Sequence, residues 1–362
     1  MVVSGCGETK LYQASDDPSE PGPWAVGVKT VKIPISGGML TAEVWYPAMW
    51  GSEQGKSKEK YDLRSWLPQG EAMKIPESAN RLAESNAYRD LPIDSAHGPY
   101  PAVLFVHGLG SFRIASASTM TAWASRGFIV VAADHPGDFL TDYLIAFSVG
   151  SCPASGNPPS DRLRDIDATL AAMKSGTGEF AFLGTSMDKT RIGLSGHSQG
   201  GGAVAGLSSR ENVQIIMTLA PLGGGAVSAS SSLKAVLNVT GMDDSVTTYS
   251  AAKSGYNSSP QPKRIVGITG AGHIDVTDLC KDKNNMGKVG LDVALEYGVC
   301  GAAILAPLAQ CGAASATQDS PLIVSYATTA ALEETMLCKD RKQAWSNLKT
   351  KFPIVGEFLE SL

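Results

Sequence analysis

The chain has 362 residues, 43% of them hydrophobic and 18% charged, a globular composition with enough apolar mass for a large core. Its 30 Lys and Arg against 35 Asp and Glu leave a formal net charge of -5. With no Lys/Arg run, that balance excludes the electrostatic footprint of a nucleic-acid partner, and no apolar stretch reaches the ~20 residues of a membrane-spanning helix.

Residues 1–24 are polar and include Asp16-Asp17-Pro18-Ser19-Glu20-Pro21-Gly22-Pro23, which reads as a flexible tether ahead of one catalytic domain spanning 25–362. Residues 28–33 alternate apolar and polar, as a half-buried strand does, and Gly37-Gly38 turns the chain into a hairpin partner at 40–47. Residues 49–98 are charged and turn-rich, with helical pieces such as 78–88, and read as a surface insertion. Continuous apolar runs then follow at 101–106, 128–133, 191–195, 213–217, 235–239 and 264–268, the pattern of strands buried on both faces of a parallel sheet. Helical stretches separate them at 116–126, 161–175, 199–209 and 248–256; in the second, Leu163, Ile166, Leu170 and Met173 recur at helical spacing. This alternation predicts an α/β chain with a mostly parallel, doubly wound sheet, an N-terminal antiparallel hairpin and insertions.

Residues 276–320 form a second insertion, rich in Gly and Ala, with a helix at 289–297; it reads equally as a lid over the site or as a structural appendage. A longer helix is expected at 321–337, with Pro321 in its first turn and Ile323, Ala327, Ala330 and Ala331 toward the sheet, and a last one at 341–348.

The chemistry centres on Gly196-His197-Ser198-Gln199-Gly200, a G-x-S-x-G set between a buried strand and a helix. A serine hydroxyl needs a base to become a nucleophile, and a strained strand-to-helix turn that exposes it brings flanking backbone so close that glycine is favoured on both sides. This arrangement resembles the nucleophile elbow of the α/β-hydrolase fold, in which the acid and then the histidine follow the serine along the chain. Of the five histidines, His97, His107, His135, His197 and His273, only His273 follows Ser198 in the sequence, so it is the expected general base. His197, inside the elbow, is expected to point away from the hydroxyl. His107 and His135 sit after earlier strands, and the reading as polar strand-end residues is preferred to pocket lining. Two aspartates, Asp243 and Asp244, follow the strand before the His273 strand. The oxyanion hole is expected from the backbone N–H of Gln199 and, in His107-Gly108-Leu109-Gly110-Ser111, that of Leu109, with Gly110 as the neighbouring alternative.

Six cysteines are present, and Cys280, Cys300, Cys311 and Cys338 fall after residue 279. None forms a C-x-x-C pair, so a zinc site is not expected. Disulfides stapling the C-terminal part and plain buried thiols are both compatible with that clustering, with disulfides preferred. Val3-Ser4-Gly5-Cys6 resembles the lipobox of a bacterial lipoprotein, without the charged and apolar segments that should precede it. With Cys6 lipidated, two disulfides and one free thiol would account for Cys152 and the rest. The implied location is the cell envelope or the exterior.

Val106-His107-Gly108-Leu109-Gly110, Ser125-Arg126-Gly127-Phe128, Ala133-Asp134-His135-Pro136-Gly137, the elbow, and Glu43-Val44-Trp45-Tyr46-Pro47 together resemble the platelet-activating-factor acetylhydrolase-like and dienelactone-hydrolase-like esterases. The similarity covers roughly residues 25–275 and the helix around Tyr326 to Leu337. Asp244-Ser245-Val246 is similar to the acid loop of bacterial cutinases and polyester hydrolases, which implies Asp244 rather than Asp243 as the triad acid. Dienelactone hydrolases use a cysteine nucleophile where this chain has Ser198, and cutinases lack insertions like 49–98 and 276–320.

The resemblance implies an ester hydrolase with no metal or organic cofactor; the expected protein is a monomeric serine esterase acting on small-molecule or polymeric esters through Ser198, His273 and Asp244. Polyester hydrolysis, amide or peptide cleavage on the same triad, and a non-catalytic envelope binding protein are the alternatives. Trp45, Trp50, Trp66, Phe112, Phe139, Tyr143 and Phe147 are candidates for the wall of an apolar acyl pocket, against core packing for each.

Overall fold

A computed structural model describes residues 14–146 and 160–362. Strands run β1 (Val26–Ile35), β2 (Gly38–Pro47), β3 (Lys60–Asp62), β4 (Leu82–Glu84), β5 (Ala87–Arg89), β6 (Tyr100–Val106), β7 (Ile129–Ala133), β8 (Met187–His197), β9 (Val213–Leu219), β10 (Ala235–Gly241), β11 (Lys263–Ile268) and β12 (Val355–Ser361). Ten of them form one sheet in the order β12-β11-β10-β9-β8-β6-β7-β2-β1-β5. From β7 to β11 the neighbours are parallel, while the β1–β2 hairpin joins β7 antiparallel and β12 closes the opposite edge antiparallel. This is an α/β-hydrolase sheet. The central strands are mostly apolar, because helices cover both of their faces; the N-terminal part of β8, with half-buried Asp188 and exposed Lys189 and Thr190, is the exception.

The chain fills β6, moves outward to β7, then crosses to β8 on the other side. Ligand sites of open α/β sheets lie at such a reversal, beyond the carboxyl ends of the strands. The loop after β6 and the turn after β8 meet there.

Helices α1 (Gln69–Ala72), α2 (Ala117–Ser125), α3 (Leu140–Ala146), α4 (Arg162–Ser175), α5 (Gln199–Ala205), α6 (Tyr249–Ser258), α7 (Gly290–Glu296), α8 (Ala302–Leu305), α9 (Ala314–Met336) and α10 (Lys342–Lys351) complete the described chain. One face of the sheet buries Trp123 of α2 with Ile323, Val324 and Tyr326 of α9. The other buries Ile166, Leu170 and Met173 of α4 with Val204 of α5. Each such large side chain, taken out of water, contributes about 1.5–3 kcal/mol.

Several elements differ from the sequence reading. Residues 78–88 hold the short strands β4 and β5 rather than helix, because β3 and the free edge of β1 offer backbone partners there. Leu163 is 51% exposed, since the inward position of the first turn of α4 is occupied by Arg162 instead. Pro321 lies inside α9, which begins two turns earlier at Ala314. Strand β12 was not expected; its pairing comes entirely from β11.

Of the stretch read as a tether, residues 14–24 lie against the body. The Arg126 guanidinium donates to the carbonyls of Ser15, Asp17 and Glu20 and to the Glu333 carboxylate, and Trp24 is buried with its indole N–H on Asp94. Cys6 and Cys152 lie outside the described residues. Cys280 and Cys311 form a disulfide, Cys300 and Cys338 are also disulfide-bonded, and no described cysteine is free. Among the described residues no helix is long and apolar enough to cross a membrane.

Candidate active site

Ser198 occupies the turn between β8 and α5 with φ 54° and ψ -120°, a conformation that costs a non-glycine residue on the order of 1–3 kcal/mol. The surroundings enforce it. A Cβ on Gly200 would stand 2.2 Å from the Val106 carbonyl oxygen, and one on Gly196 2.6 Å from the Gly200 backbone. These two glycines let β6, β8 and α5 converge beneath the hydroxyl.

His273 follows β11 and brings its Nε2 to 2.9 Å from Ser198 Oγ, while its Nδ1 lies 2.8 Å from Asp244 Oδ2. Asp244 follows β10. Burial raises its carboxyl pKa, but hydrogen bonding and charge from His273 and donors from Thr247 outweigh it, so the group stays below the ordinary aspartate value. Its Oδ1 accepts the amides of Val246 and Thr247, both at 2.8 Å, and its Oδ2 also accepts the Thr247 hydroxyl at 2.8 Å. Asp243 is turned away and contributes its carbonyl to Gln310.

His197 does point away from the hydroxyl. Burial and the neighbouring His273 push its pKa down to about 3, so it is neutral, and its Nε2–H donates to the His273 carbonyl at 3.1 Å. The elbow thereby steadies the backbone of the His273 loop. His107 and His135 are buried with rings 5.0 Å apart and do not line the cavity. Burial holds both well below the usual histidine range.

The loop after β6 presents Leu109 beside Ser198. The Gly110 amide is already spent on the Asp138 carbonyl at 2.8 Å. Gln199 is the first residue of α5, where an amide has no intrahelical acceptor.

A cavity of about 290 Å³ opens above Ser198 and His273. Its walls are branched aliphatics from both insertions: Leu63, Leu67 and Ile75 from one, Leu291, Leu305 and Leu308 from the other. The insertions are locked together by the Arg81–Asp282 ion pair at 2.7 Å, the Asn284 amide on the Ala79 carbonyl at 3.0 Å and the Cys300 amide on Glu71 at 2.6 Å. An apolar cluster of Ile75, Ala79, Leu144, Val293, Ala294, Val299 and Ala302 backs them.

Of the aromatic candidates, only Phe112 among the described ones lines the cavity. Trp66 stacks behind it at 5.1 Å with its indole N–H on Asp134, Trp45 belongs to the sheet core, and Trp50 is 70% exposed. Phe139 and Tyr143 lie off the lining, and Phe147 falls outside the described residues. Trp45 and Trp66 are buried in the core instead, and the insertions supply aliphatic walls.

Two residues that the sequence reading missed organise the site. Gln310 receives the Ser245 amide at 2.8 Å on its side chain and the Ile274 amide at 3.1 Å on its carbonyl, so it touches both the acid and the histidine loops. No sequence signal marks it. Arg162 does carry one: a cation on the inward stripe of an amphipathic helix.

No curated protein matches the chain. Residues 11–139 match the family model of platelet-activating factor acetylhydrolase, isoform II, a match that takes in the β1–β2 hairpin and the loop after β6 and stops before the elbow. The sheet and this match together give the chain an α/β-hydrolase fold, with residues 11–139 similar to platelet-activating factor acetylhydrolase, isoform II.

Proposed function

We propose that the protein is a serine esterase that cleaves carboxylic esters of small, apolar acyl groups through an acyl-enzyme. The observation that carries this reading is the His273 ring spanning Ser198 Oγ at 2.9 Å and Asp244 Oδ2 at 2.8 Å. His273 Nε2 takes the hydroxyl proton as Ser198 attacks the ester carbonyl, then returns it to the departing alcohol. Asp244 holds the Nδ1–H tautomer and stabilises the imidazolium. The Leu109 and Gln199 amides receive the oxyanion, each worth roughly 3 kcal/mol in the transition state. A water activated by His273 then releases the acid and restores the serine.

A cavity of about 290 Å³ is at the small end of ligand sites. Its aliphatic walls and the two interlocked insertions favour one short acyl chain over an extended polymer. The name of the matched family, an acetylhydrolase, points the same way. We extend the proposal to location: disulfides at all four described cysteines suit an oxidising compartment, the envelope or exterior.

The test is a p-nitrophenyl ester series from acetate to laurate, with fluorophosphonate labelling. Maximal kcat/KM at short chains, together with a label on Ser198, is the expected result. A protein that neither turns over any ester nor takes the label would instead be a binding scaffold.

A further inference from the structure

We infer that Arg162 is a positioning residue that holds the two halves of the oxyanion hole in register. This rests on the ester-hydrolase reading above. Its side chain is only 6% exposed, at the first turn of α4 and on the same stripe as Ile166, Leu170 and Met173. Burying a guanidinium costs several kcal/mol unless its charge and donors are matched. Burial lowers its pKa and Asp138 opposes that shift; a guanidinium is basic enough to stay a cation in a protein.

The charge is met by Asp138, whose Oδ2 lies 3.1 Å from Nε and 2.9 Å from Nη2. The remaining donors go to the two walls of the site. Nη1 donates to the His107 carbonyl at 2.5 Å, at the root of the loop that carries Leu109. Nη2 donates to Gln199 Oε1 at 3.2 Å, on the residue that supplies the other oxyanion amide. Asp138 adds a further tie, because its carbonyl accepts the Gly110 amide at 2.8 Å. One planar fork therefore sets the spacing between the loop after β6 and the start of α5.

The requirement is geometric. Oxyanion donors act at about 2.7–3.1 Å from the developing charge, and a misplacement of ~1 Å can cost about 100-fold in rate. Arg162 does not line the cavity, so it touches no substrate and acts only through the groups it holds. A lysine would keep the charge but not the fork.

The experiment measures kcat and KM on p-nitrophenyl butyrate for Arg162→Lys, Arg162→Met and Gln199→Met. Each rate is divided by active sites titrated to endpoint with a fluorophosphonate. Expected are losses in kcat of about 10-fold for Arg162→Lys, about 100-fold for Arg162→Met and a few-fold for Gln199→Met, with KM nearly constant. Binding of a trifluoromethyl ketone, which mimics the tetrahedral intermediate, should weaken in parallel with kcat/KM. Wild-type kcat per titrated site in Arg162→Lys would show that charge alone suffices and overturn the inference. So would a loss confined to KM or to the fraction of folded sites. If Arg162→Met does not fold, Arg162→Lys and Gln199→Met decide, since Gln199→Met keeps the backbone N–H. A wild-type protein that takes no label fails the esterase reading before any variant is compared.

Discussion

The floor and the roof of the site are built in opposite ways. The floor is a set of strand ends: Ser198 after β8, Asp244 after β10, His273 after β11 and Leu109 after β6. Each sits within a few residues of the buried C-terminal end of a strand, so the sheet sets its position to within the play of a short loop. The roof comes from two segments about 200 residues apart in the chain, which meet through an ion pair, hydrogen bonds between side chains and backbone, and one small apolar cluster. The difference teaches that in the proposed esterase the reacting groups are placed by the buried central sheet, whereas the wall that would shape a bound acyl group rests on a small satellite cluster and a few polar ties.

That contrast can be broken most forcefully at the floor. Ser198→Ala should lower kcat by about 10⁴-fold or more, read on p-nitrophenyl butyrate. Asp244→Asn should cost on the order of 10³–10⁴-fold, whereas Asp243→Asn should leave kcat within about two-fold, because its side chain faces away from His273. Equal losses in the two aspartate variants would remove the distinction between these neighbours.

At the roof the effects should fall on stability and on chain length. Replacing Cys280 and Cys311 by serine opens a loop with a sequence separation of 31 residues, which corresponds to about 3–4 kcal/mol of unfolded-chain entropy. The melting temperature should drop by roughly 4–5 °C in calorimetry, without a comparable loss of kcat at 25 °C. Leu308→Trp should fill part of the cavity and lower kcat/KM for butyrate and longer esters by about 10-fold while sparing acetate, since a pocket contact of this kind is worth about 1–3 kcal/mol. A uniform loss over all chain lengths would mean that the cavity does not hold the acyl group.

The smallest effect concerns Asp278, which ties the second insertion to the start of α2 through the Ser118 amide at 2.9 Å and the Ser118 hydroxyl. Burial pushes its carboxyl up to about 6, against the lowering by those donors. Between the unfolded value of 3.8 and that folded value, the native state keeps a proton that the unfolded chain has released. Stability should therefore fall as pH rises across this window, by at most about 3 kcal/mol, and level off above it. Asp278→Asn should flatten that part of the curve of melting temperature against pH; an unchanged slope would assign it to other groups.

Much of the floor was legible because each feature has a local signature. The elbow demands glycine where backbone meets backbone, and Gly196 and Gly200 stand there. His273 was reached by chain order among five histidines. Asp244 needed the likeness of its loop to another family, because Asp243 has the same local chemistry and only the turn of the folded loop separates them. The aromatic residues misled: indoles and phenyl rings are as useful in a sheet core as in a pocket, and nothing in their spacing says which.

The amino-acid sequence by itself determined the parallel core, the strained serine turn and the histidine that follows the last parallel strand, since apolar runs, glycine flanks and chain order act over a few residues. Only the tertiary structure decided the edge strands β5 and β12, the docking of residues 14–24, the aliphatic roof and the reach of Arg162 between two loops. Those features depend on pairings between distant segments, and a backbone edge, a buried ion pair or a cavity wall exists only once both partners have been brought together.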